Sequence, residues 1–423
     1  MTKDQNKGEL KRDLRLIDAI GIGLGAIIGA GIFVVTGVAA GVAGPSFLIG
    51  LFLAGIVATF NALSSAQLAA TYPQSGGTYE YGYQVLNPWL GFAAGWVFLA
   101  SKLAAAGTVA LGFASYFTAL FPIASERTIA VIAAIILTVV NYFGIRRAGN
   151  LNTFIVLISV ASLALFILAG FPSIRSENLV PFAPQGWQGT LEATALLFFA
   201  YTGYARLATL GEEVHEPKKT IPRAIVWALG IASILYLGVA YVAVASVGSE
   251  TMAGSNSPLE AAARTFQFPW VVIFIGVGAT TAMLGVLLSQ LLGISRMIFA
   301  MSRKKDLPGL FDHVHPIHGV PDRGILLAGA VAILVALFGT FKAIVAAAAF
   351  TILIYYSIAN LAAVRMRKED KLFPNWIPVA GFISCILLAF TMPLNVVGAG
   401  LALLAVGFIW RALYRRLINS NEK

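Results

Sequence analysis

The chain alternates long apolar stretches with short polar connections over nearly all of its 423 residues. A helix needs roughly 20 apolar residues to cross a hydrocarbon core about 30 Å thick. Counted on that basis, the pattern predicts an all-α polytopic membrane protein with twelve membrane-spanning helices. Their predicted ranges are 15–41, 45–70, 90–120, 126–144, 151–170, 187–211, 221–247, 270–302, 323–340, 343–365, 374–392 and 395–414.

Composition supports the membrane setting. Hydrophobic residues make up 58% of the chain and charged residues 11%, with a mean hydropathy of +0.83, which is atypical of soluble domains. The first 14 residues are polar, and the apolar stretch behind them is long and lacks a small-residue cleavage pattern, so we expect no removable signal peptide. The single cysteine, Cys385, excludes an intrachain disulfide and a cysteine-rich metal site.

Positive charge is divided unevenly between alternate connections. If the N-terminus is cytoplasmic, the inner connections carry pairs or clusters of Lys and Arg, whereas the outer connections carry single residues. The positive-inside rule therefore predicts that both termini face the cytoplasm, in the plasma (inner) membrane. The net charge of +10 favours contact with anionic lipid, and its scatter over short loops argues against nucleic acid as a partner. The outer residues are Arg127, Arg175, Arg264 and Lys342.

Two predicted spans are interrupted by small residues. The first span contains Gly-Ala-Ile-Ile-Gly-Ala-Gly-Ile-Phe at 25–33, and the sixth has Thr202 and Gly203 between two apolar halves. Unpaired backbone groups are costly in hydrocarbon, so irregular backbone persists there only where it lines a cavity or binds a ligand. Breaks at corresponding positions of two halves indicate an inverted repeat with a binding site near the midplane.

This pattern divides the chain into two five-helix repeats, at 15–170 and 187–366. Helices eleven and twelve follow at 374–416. The segments 1–14 and 417–423 are expected to be cytoplasmic tails.

Four motifs in order make the chain resemble the amino acid–polyamine–organocation (APC) superfamily of permeases. The resemblance covers nearly the whole chain. It implies a leucine-transporter-like fold of 5 + 5 inverted helices plus two more, with discontinuous first and sixth helices, working by alternating access. The motifs are Ile28-Gly29-Ala30-Gly31-Ile32-Phe33, Tyr72-Pro73-Gln74-Ser75-Gly76-Gly77-Thr78-Tyr79, Phe199-Ala200-Tyr201-Thr202-Gly203 leading into Gly211-Glu212-Glu213, and Thr220-Ile221-Pro222-Arg223-Ala224.

The breaks offer a site for a zwitterion. A half-helix ending near Ile27 exposes carbonyls, and one beginning near Gly31 exposes N–H groups at the positive end of a helix dipole. The N–H groups suit a carboxylate, and carbonyls freed in the sixth span suit an ammonium. The resemblance implies the following substrate-binding residues: Ile27, Gly29, Ala30, Gly31, Leu103, Phe199, Ala200, Thr202 and Gln290. For Gln290 an ordinary interhelical hydrogen bond is an open alternative.

Lys102 is an ionisable residue inside the third predicted span. Such residues are costly in a membrane and usually face a cavity or a partner, and the family register puts this one beside the substrate. It is expected to carry the coupling proton or to act as a counter-charge for an anionic substrate. A structural lysine bonded to backbone carbonyls remains the alternative.

Ion coupling is predicted from departures from the family pattern. Where relatives that use sodium place paired hydroxyls, this chain has Gly285 and Val286, and Ser159 takes the place of a lysine found in others. Sodium needs several oxygen ligands, so proton coupling or exchange is preferred. A cytoplasmic gate of ion pairs is expected from Asp18, Arg206, Glu212 and Arg296.

The expected function is secondary active transport of amino acids, with neither cofactor nor metal and no enzymatic activity. The loop histidines 313, 315 and 318 are a weak metal candidate because they lie in a Pro-rich connection. An apolar pocket favours neutral substrates, while Lys102 leaves acidic ones open. Alternatives are a sodium-coupled or polyamine/organocation transporter of the same fold, a passive channel, or a membrane amino acid sensor. The oligomeric state is not determined by the sequence.

Overall fold

The computed structural model describes residues 14–72, 76–144, 149–208 and 214–421. Within these ranges the protein is helical and contains no β-strand beyond one isolated parallel bridge between Leu14 and Val214. Helices satisfy their own backbone hydrogen bonds, which is what a chain in hydrocarbon requires. The predicted all-α class is confirmed.

The helices, numbered in chain order, vary between 4 and 37 residues in length. They are α1 (Leu16–Ile27), α2 (Thr36–Ala43), α3 (Phe47–Thr71), α4 (Thr78–Tyr81), α5 (Pro88–Leu120), α6 (Glu126–Tyr142), α7 (Gly149–Gly170), α8 (Gly186–Tyr201), α9 (Ala205–Ala208), α10 (Pro217–Ala253), α11 (Pro258–Ala263), α12 (Val271–Arg303), α13 (Asp322–Phe338), α14 (Phe341–Arg365), α15 (Trp376–Phe390) and α16 (Leu394–Asn421).

Seven helical stretches of the described chain are long and apolar enough to cross a membrane by themselves. Helices α6, α8, α13 and α15 are apolar as well, but they have 17, 16, 17 and 15 residues. At a rise of 1.5 Å per residue such helices fall short of a full hydrocarbon core. The seven stretches are Leu16–Thr71, Pro88–Leu120, Thr153–Ser173, Lys219–Ala253, Val271–Arg303, Phe341–Arg365 and Leu394–Ile418.

The helices surround one large buried cluster that contains both interrupted regions. Helix α5 packs along α12 and α14. Helix α3 packs along α8 and α10, and α10 also packs along α1 and α2. Many Leu, Ile and Phe side chains on the outer faces are exposed, among them Leu168 and Ile234. A surface of this kind is expected where lipid, and not water, is the solvent.

Two short regions are wound differently from an α-helix. Residues Gly31–Val35 and Gly82–Leu86 form single π-helical turns, which are rare and are frequently found at functional sites. The second follows α4 directly, and we call Thr78–Leu86 the α4 segment. It begins after Gly76 and Gly77, whose φ angles of 132° and 55° lie in the region that favours glycine. Neither π-helical turn was expected from the sequence.

Candidate functional site

The first interruption lies between α1 and the π-helical turn. Helix α1 ends at Ile27, Ile28 is extended with φ −74° and ψ 109°, and the helical path resumes at Gly31. The N–H groups of Gly29, Ala30 and Gly31 have no backbone acceptor among the described residues. They therefore form a row of unpaired donors at the start of a helical segment, where the helix dipole favours negative charge.

The second interruption follows α8. After Tyr201 the chain tightens into a 3₁₀ turn at Thr202–Tyr204 and continues as α9. The N–H of Thr202 donates to the carbonyl of Phe199, so the carbonyl of Phe198 loses its usual helical donor. The Thr202 hydroxyl also donates to the Phe199 carbonyl at 2.9 Å. This break therefore presents acceptors where the first presents donors.

The two interruptions meet inside the molecule. A Cβ atom on Gly31 would lie 2.3 Å from the Cα of Ala200, and one on Gly203 would lie 2.0 Å from the carbonyl oxygen of Ala26. Real Cβ atoms do not approach backbone so closely, so glycine is required at both positions. The breaks are buried, with Ala200 exposed by 3% of its surface.

Two buried tyrosines hold the first interruption in place. The hydroxyl of Tyr236, on α10, donates to the Ile27 carbonyl at 2.8 Å and lies 3.5 Å from the carbonyl oxygen of Ala200. The hydroxyl of Tyr116, on α5, donates to the Phe33 carbonyl at 2.7 Å. Sequence reasoning missed both residues. The available signal was a hydroxyl inside an apolar span, which needs a partner.

Helix α12 contributes Val286 and Gln290 to this region. A Cβ on Gly29 would lie 2.9 Å from a methyl group of Val286, so this aliphatic side chain packs directly on the first break. Gln290 is one turn further along α12. Its Oε1 atom is buried and has no hydrogen-bond partner within the described ranges. Gly285 and Val286, the pair expected to stand where relatives that use sodium place hydroxyls, offer no side-chain oxygen.

Lys102 and Leu103 lie on α5 and are partly buried. The Nζ atom of Lys102 lies 5.8 Å from the centre of the Phe98 ring. No hydrogen bond or ion pair of Lys102 occurs in the described part of the chain, so the expected alternative of a lysine bonded to carbonyls is not seen there. Phe98 in turn contacts the ring of Tyr355 on α14, with the ring centres 5.2 Å apart.

Three of the four predicted gate residues lie in the described part of the chain. The carboxylate of Asp18 accepts the N–H of Arg15 at 2.9 Å and caps the start of α1. Arg206 on α9 and Arg296 on α12 are exposed, and Asp18 forms no ion pair with Arg296. Glu212 lies outside the described residues, as do Pro73–Ser75 and Gly211–Glu213 of the motifs. The gate stays a prediction.

The loop histidines do not form a metal site in the described chain. No group of three His, Cys, Asp or Glu residues there could hold a metal ion. Instead, the Nδ1 atom of His313 lies 2.7 Å from the Oδ1 atom of Asp322. The rings of His315 and His318 stack on each other with centres 4.5 Å apart.

Comparison with known proteins supplies the family. The model of the amino acid permease family matches residues 18–418. An uncharacterised transporter of Mycobacterium tuberculosis is 41% identical over 402 residues, which cover 94% of this chain and 90% of the relative.

Two relatives from Bacillus subtilis are named for a substrate. The branched-chain amino acid permease BcaP is 28% identical over 96% of this chain and 94% of its own length. A methylthioribose transporter is 30% identical with the same shares covered. The resemblance inferred from the four motifs is confirmed. The chain belongs to the amino acid permease family of the APC superfamily, and it is a multi-pass membrane transporter and not an enzyme.

Proposed function

We propose that this protein is a secondary active transporter that moves an amino acid across the plasma membrane by alternating access, without sodium. The observation that supports this most strongly is the contact between the two breaks. One break has unpaired N–H groups, and in the other the Phe198 carbonyl lacks its usual helical donor. A free amino acid carries a carboxylate and an ammonium on one carbon. It therefore matches both sets of backbone groups at once.

The proposed binding site uses the main chain for the common part of the substrate. The N–H groups of Gly29, Ala30 and Gly31 receive the carboxylate, and the carbonyls of Ile27 and Phe198 receive the ammonium. Backbone groups fixed by packing lose little entropy when a ligand binds, which favours affinity. Tyr236 donates to the Ile27 carbonyl, and a carbonyl oxygen has two lone pairs, so the ammonium would use the second while Tyr236 keeps the carbonyl oriented.

The proposed substrate has a neutral, apolar side chain. Ile27, Ala30, Leu103 and Phe199 supply an apolar lining by position, and Val286 adds another hydrocarbon surface beside Gly29. The permease BcaP is named for branched-chain amino acids, which fits this class. Gln290, which has an unpartnered buried oxygen, is the proposed residue that contacts the substrate side chain and discriminates between substrates.

Coupling to protons or exchange for another amino acid is the proposed driving reaction. The hydroxyl of Ser159 donates to the Ile155 carbonyl at 2.7 Å and is thereby committed within its own helix. Val286 offers no ligand, so the oxygen set that sodium prefers is not assembled around these residues. Lys102, which has a ring contact and no ion pair among described residues, is the proposed proton carrier or counter-charge.

The proposed architecture is twelve membrane-spanning helices in which two inverted five-helix repeats precede helices eleven and twelve. Both termini are placed in the cytoplasm by the distribution of Lys and Arg. Asp18, Arg206, Glu212 and Arg296 remain the proposed cytoplasmic gate. Rocking of one helix group against the other would expose the breaks to each side in turn.

A thermal-shift screen of the purified protein against the twenty amino acids at two pH values tests the proposal. Ligands that bind the folded state raise the melting temperature by mass action. The best ligand, radiolabelled, is then followed in counterflow into proteoliposomes, with and without a sodium gradient and with methylthioribose as a competitor. Counterflow that is independent of sodium is expected. Binding without counterflow would indicate a sensor, and single-channel currents would indicate a channel.

A further inference from the structure

Asp306 is a buried carboxylate on a strained turn, remote from the breaks. It follows α12 and is 0% exposed. Lys305 before it has a φ of 57°, which is uncommon for a residue other than glycine. The turn lets the N–H of Asp306 donate to the Met301 carbonyl at 2.9 Å and folds the carboxylate back under the helix. Strain of this kind persists only where surrounding contacts enforce it.

Donors from two other parts of the chain surround this carboxylate. Arg411 Nε and a terminal nitrogen of Arg415, both on α16, donate to Oδ1 at 3.0 and 3.2 Å. The hydroxyls of Tyr79 and Tyr83, in the α4 segment, donate to Oδ2, that of Tyr79 at 2.9 Å. A buried charge without partners is strongly unfavourable, so these donors are needed to keep Asp306 where it is. We call these five residues the Asp306 cluster.

A second set of contacts joins the end of α12 to the α4 segment and α16 to α5. Lys304 forms an ion pair with Glu80 at 2.5 Å, and its Nζ lies 4.4 Å from the centre of the Tyr83 ring. The guanidinium of Arg411 lies 4.7 Å from the centre of the Trp89 ring. Burial and the Asp306 carboxylate raise the pKa of Tyr83 to about 12, so its hydroxyl remains a donor at ordinary pH.

The α4 segment also reaches toward the breaks. The N–H of Thr78 donates to the hydroxyl of Tyr355 on α14 at 3.2 Å. The ring of Tyr355 lies 5.0 Å from that of Tyr356, which lies 5.6 Å from that of Phe198 beside the second break. One continuous series of contacts therefore runs from α16 to the second break.

We propose that Asp306 and Arg411 are positioning residues for transport, through which the C-terminal helix α16 holds the α4 segment against Tyr355. The inference rests on the proposed function, because its consequence is the rate at which the loaded site changes sides. It assigns α16, which lies outside the two proposed repeats, a part in the transport cycle. Removing the cluster should leave ligand binding intact and slow turnover.

Hydrogen exchange measured by mass spectrometry on the full-length protein in lipid nanodiscs tests the anchoring directly. In Arg411→Ala we expect amide exchange in residues 78–86 to rise about tenfold while α6 is unchanged, because local opening is no longer opposed by the cluster. Arg416→Ala is the matched control, since Arg416 is exposed on the same helix. Unchanged exchange at 78–86, or an equal rise along the whole chain, would overturn the proposal.

Counterflow of the best amino acid from the thermal-shift screen supplies the second readout. Arg411→Ala is expected to bind within about threefold of the wild type and to exchange about tenfold more slowly. If that variant does not fold, Tyr83→Phe removes one donor and keeps the ion pair, and a smaller change of the same kind is expected. Faster amide exchange with unaltered counterflow would refute a role in transport. Absent counterflow in the wild type would instead contradict the proposed function, and the exchange comparison would still decide the anchoring.

Discussion

The two breaks are built from similar residues but satisfy their backbone groups in different ways. At the first, the Ile27 carbonyl depends on a hydroxyl from α10, and three successive N–H groups have no backbone acceptor in the described chain. At the second, Thr202 supplies both the N–H and the hydroxyl that bind Phe199. The second break is thus held mainly by its own residues, although the Phe198 carbonyl lacks its usual helical donor. The first depends on distant residues and leaves donors for a ligand, so changes there should matter more.

Disrupting the contact between the two breaks is expected to have the largest effect on binding. In Gly31→Ala the new methyl group would meet the Ala200 Cα at 2.3 Å, which forces the two breaks apart. We expect about 100-fold weaker binding, or about 2.7 kcal/mol, at the upper end of overpacking costs. Titration calorimetry measures it. Gly230→Ala on α10, where nothing lies within 4 Å, is the control, and equal affinities in the two variants would contradict the contact.

Removing the Tyr236 hydroxyl, which supports the first break from α10, is expected to have the second-largest effect on binding. Tyr236→Phe removes the donor that fixes the direction of the Ile27 carbonyl, so the ammonium meets an acceptor that is no longer oriented. We expect a loss of about 1–3 kcal/mol in binding, or roughly 5- to 150-fold in affinity. The matched control is Tyr241→Phe, because Tyr241 is on the same helix and is 40% exposed. An affinity as high as that of the control would show that Tyr236 does not organise the site.

The second break should tolerate loss of the Thr202 hydroxyl better than the first break tolerates loss of the Tyr236 hydroxyl. Thr202→Val removes the bond to Phe199 but leaves the Thr202 N–H on the same carbonyl. A typical hydrogen bond contributes about 0.5–1.5 kcal/mol, so affinity should fall by roughly 2- to 10-fold. The same calorimetry applies. A loss greater than that of Tyr236→Phe would reverse the proposed difference between the breaks.

Lys102 lies at neither break, so its replacement should affect binding least. Lys102→Ala is expected to keep affinity within about threefold, since no hydrogen bond joins it to the site, and to lose uphill uptake driven by a pH gradient in proteoliposomes. The loss would separate coupling from binding. If the variant accumulates substrate as the wild type does, Lys102 is not the coupling residue.

Sequence patterns predicted the features that depend on residues close together in the chain. Periodic apolar stretches gave the all-α class, and small residues at Gly29–Gly31 and Gly203 marked the regions where helical winding changes. The count of twelve spans and the inverted repeat stay predictions, because several helices are too short to be recognised as spans from length alone. Helix α16 continues to Asn421, beyond the predicted end of the span at 414. Its last turns are polar, so the apolar pattern did not include them.

Contacts between distant segments could not be read from the sequence. Tyr236 and Tyr116 reach the first break from α10 and α5, and nothing in their neighbouring residues indicates the partner. Asp306 is one more charge in a polar connection until folding buries it beneath α16. The π-helical turns likewise depend on packing. Such features follow from tertiary structure, which a single chain's pattern does not specify.

The central claim is that main-chain atoms of the two breaks hold both charged groups of one amino acid. The most direct measurement compares the best-binding amino acid with its methyl ester and its N-acetyl derivative by titration calorimetry. Each derivative lacks one charge, and a charge-assisted hydrogen bond is worth about 1.5–3 kcal/mol. The account predicts that both derivatives bind at least about tenfold more weakly. Binding of either derivative with the affinity of the parent amino acid would contradict it.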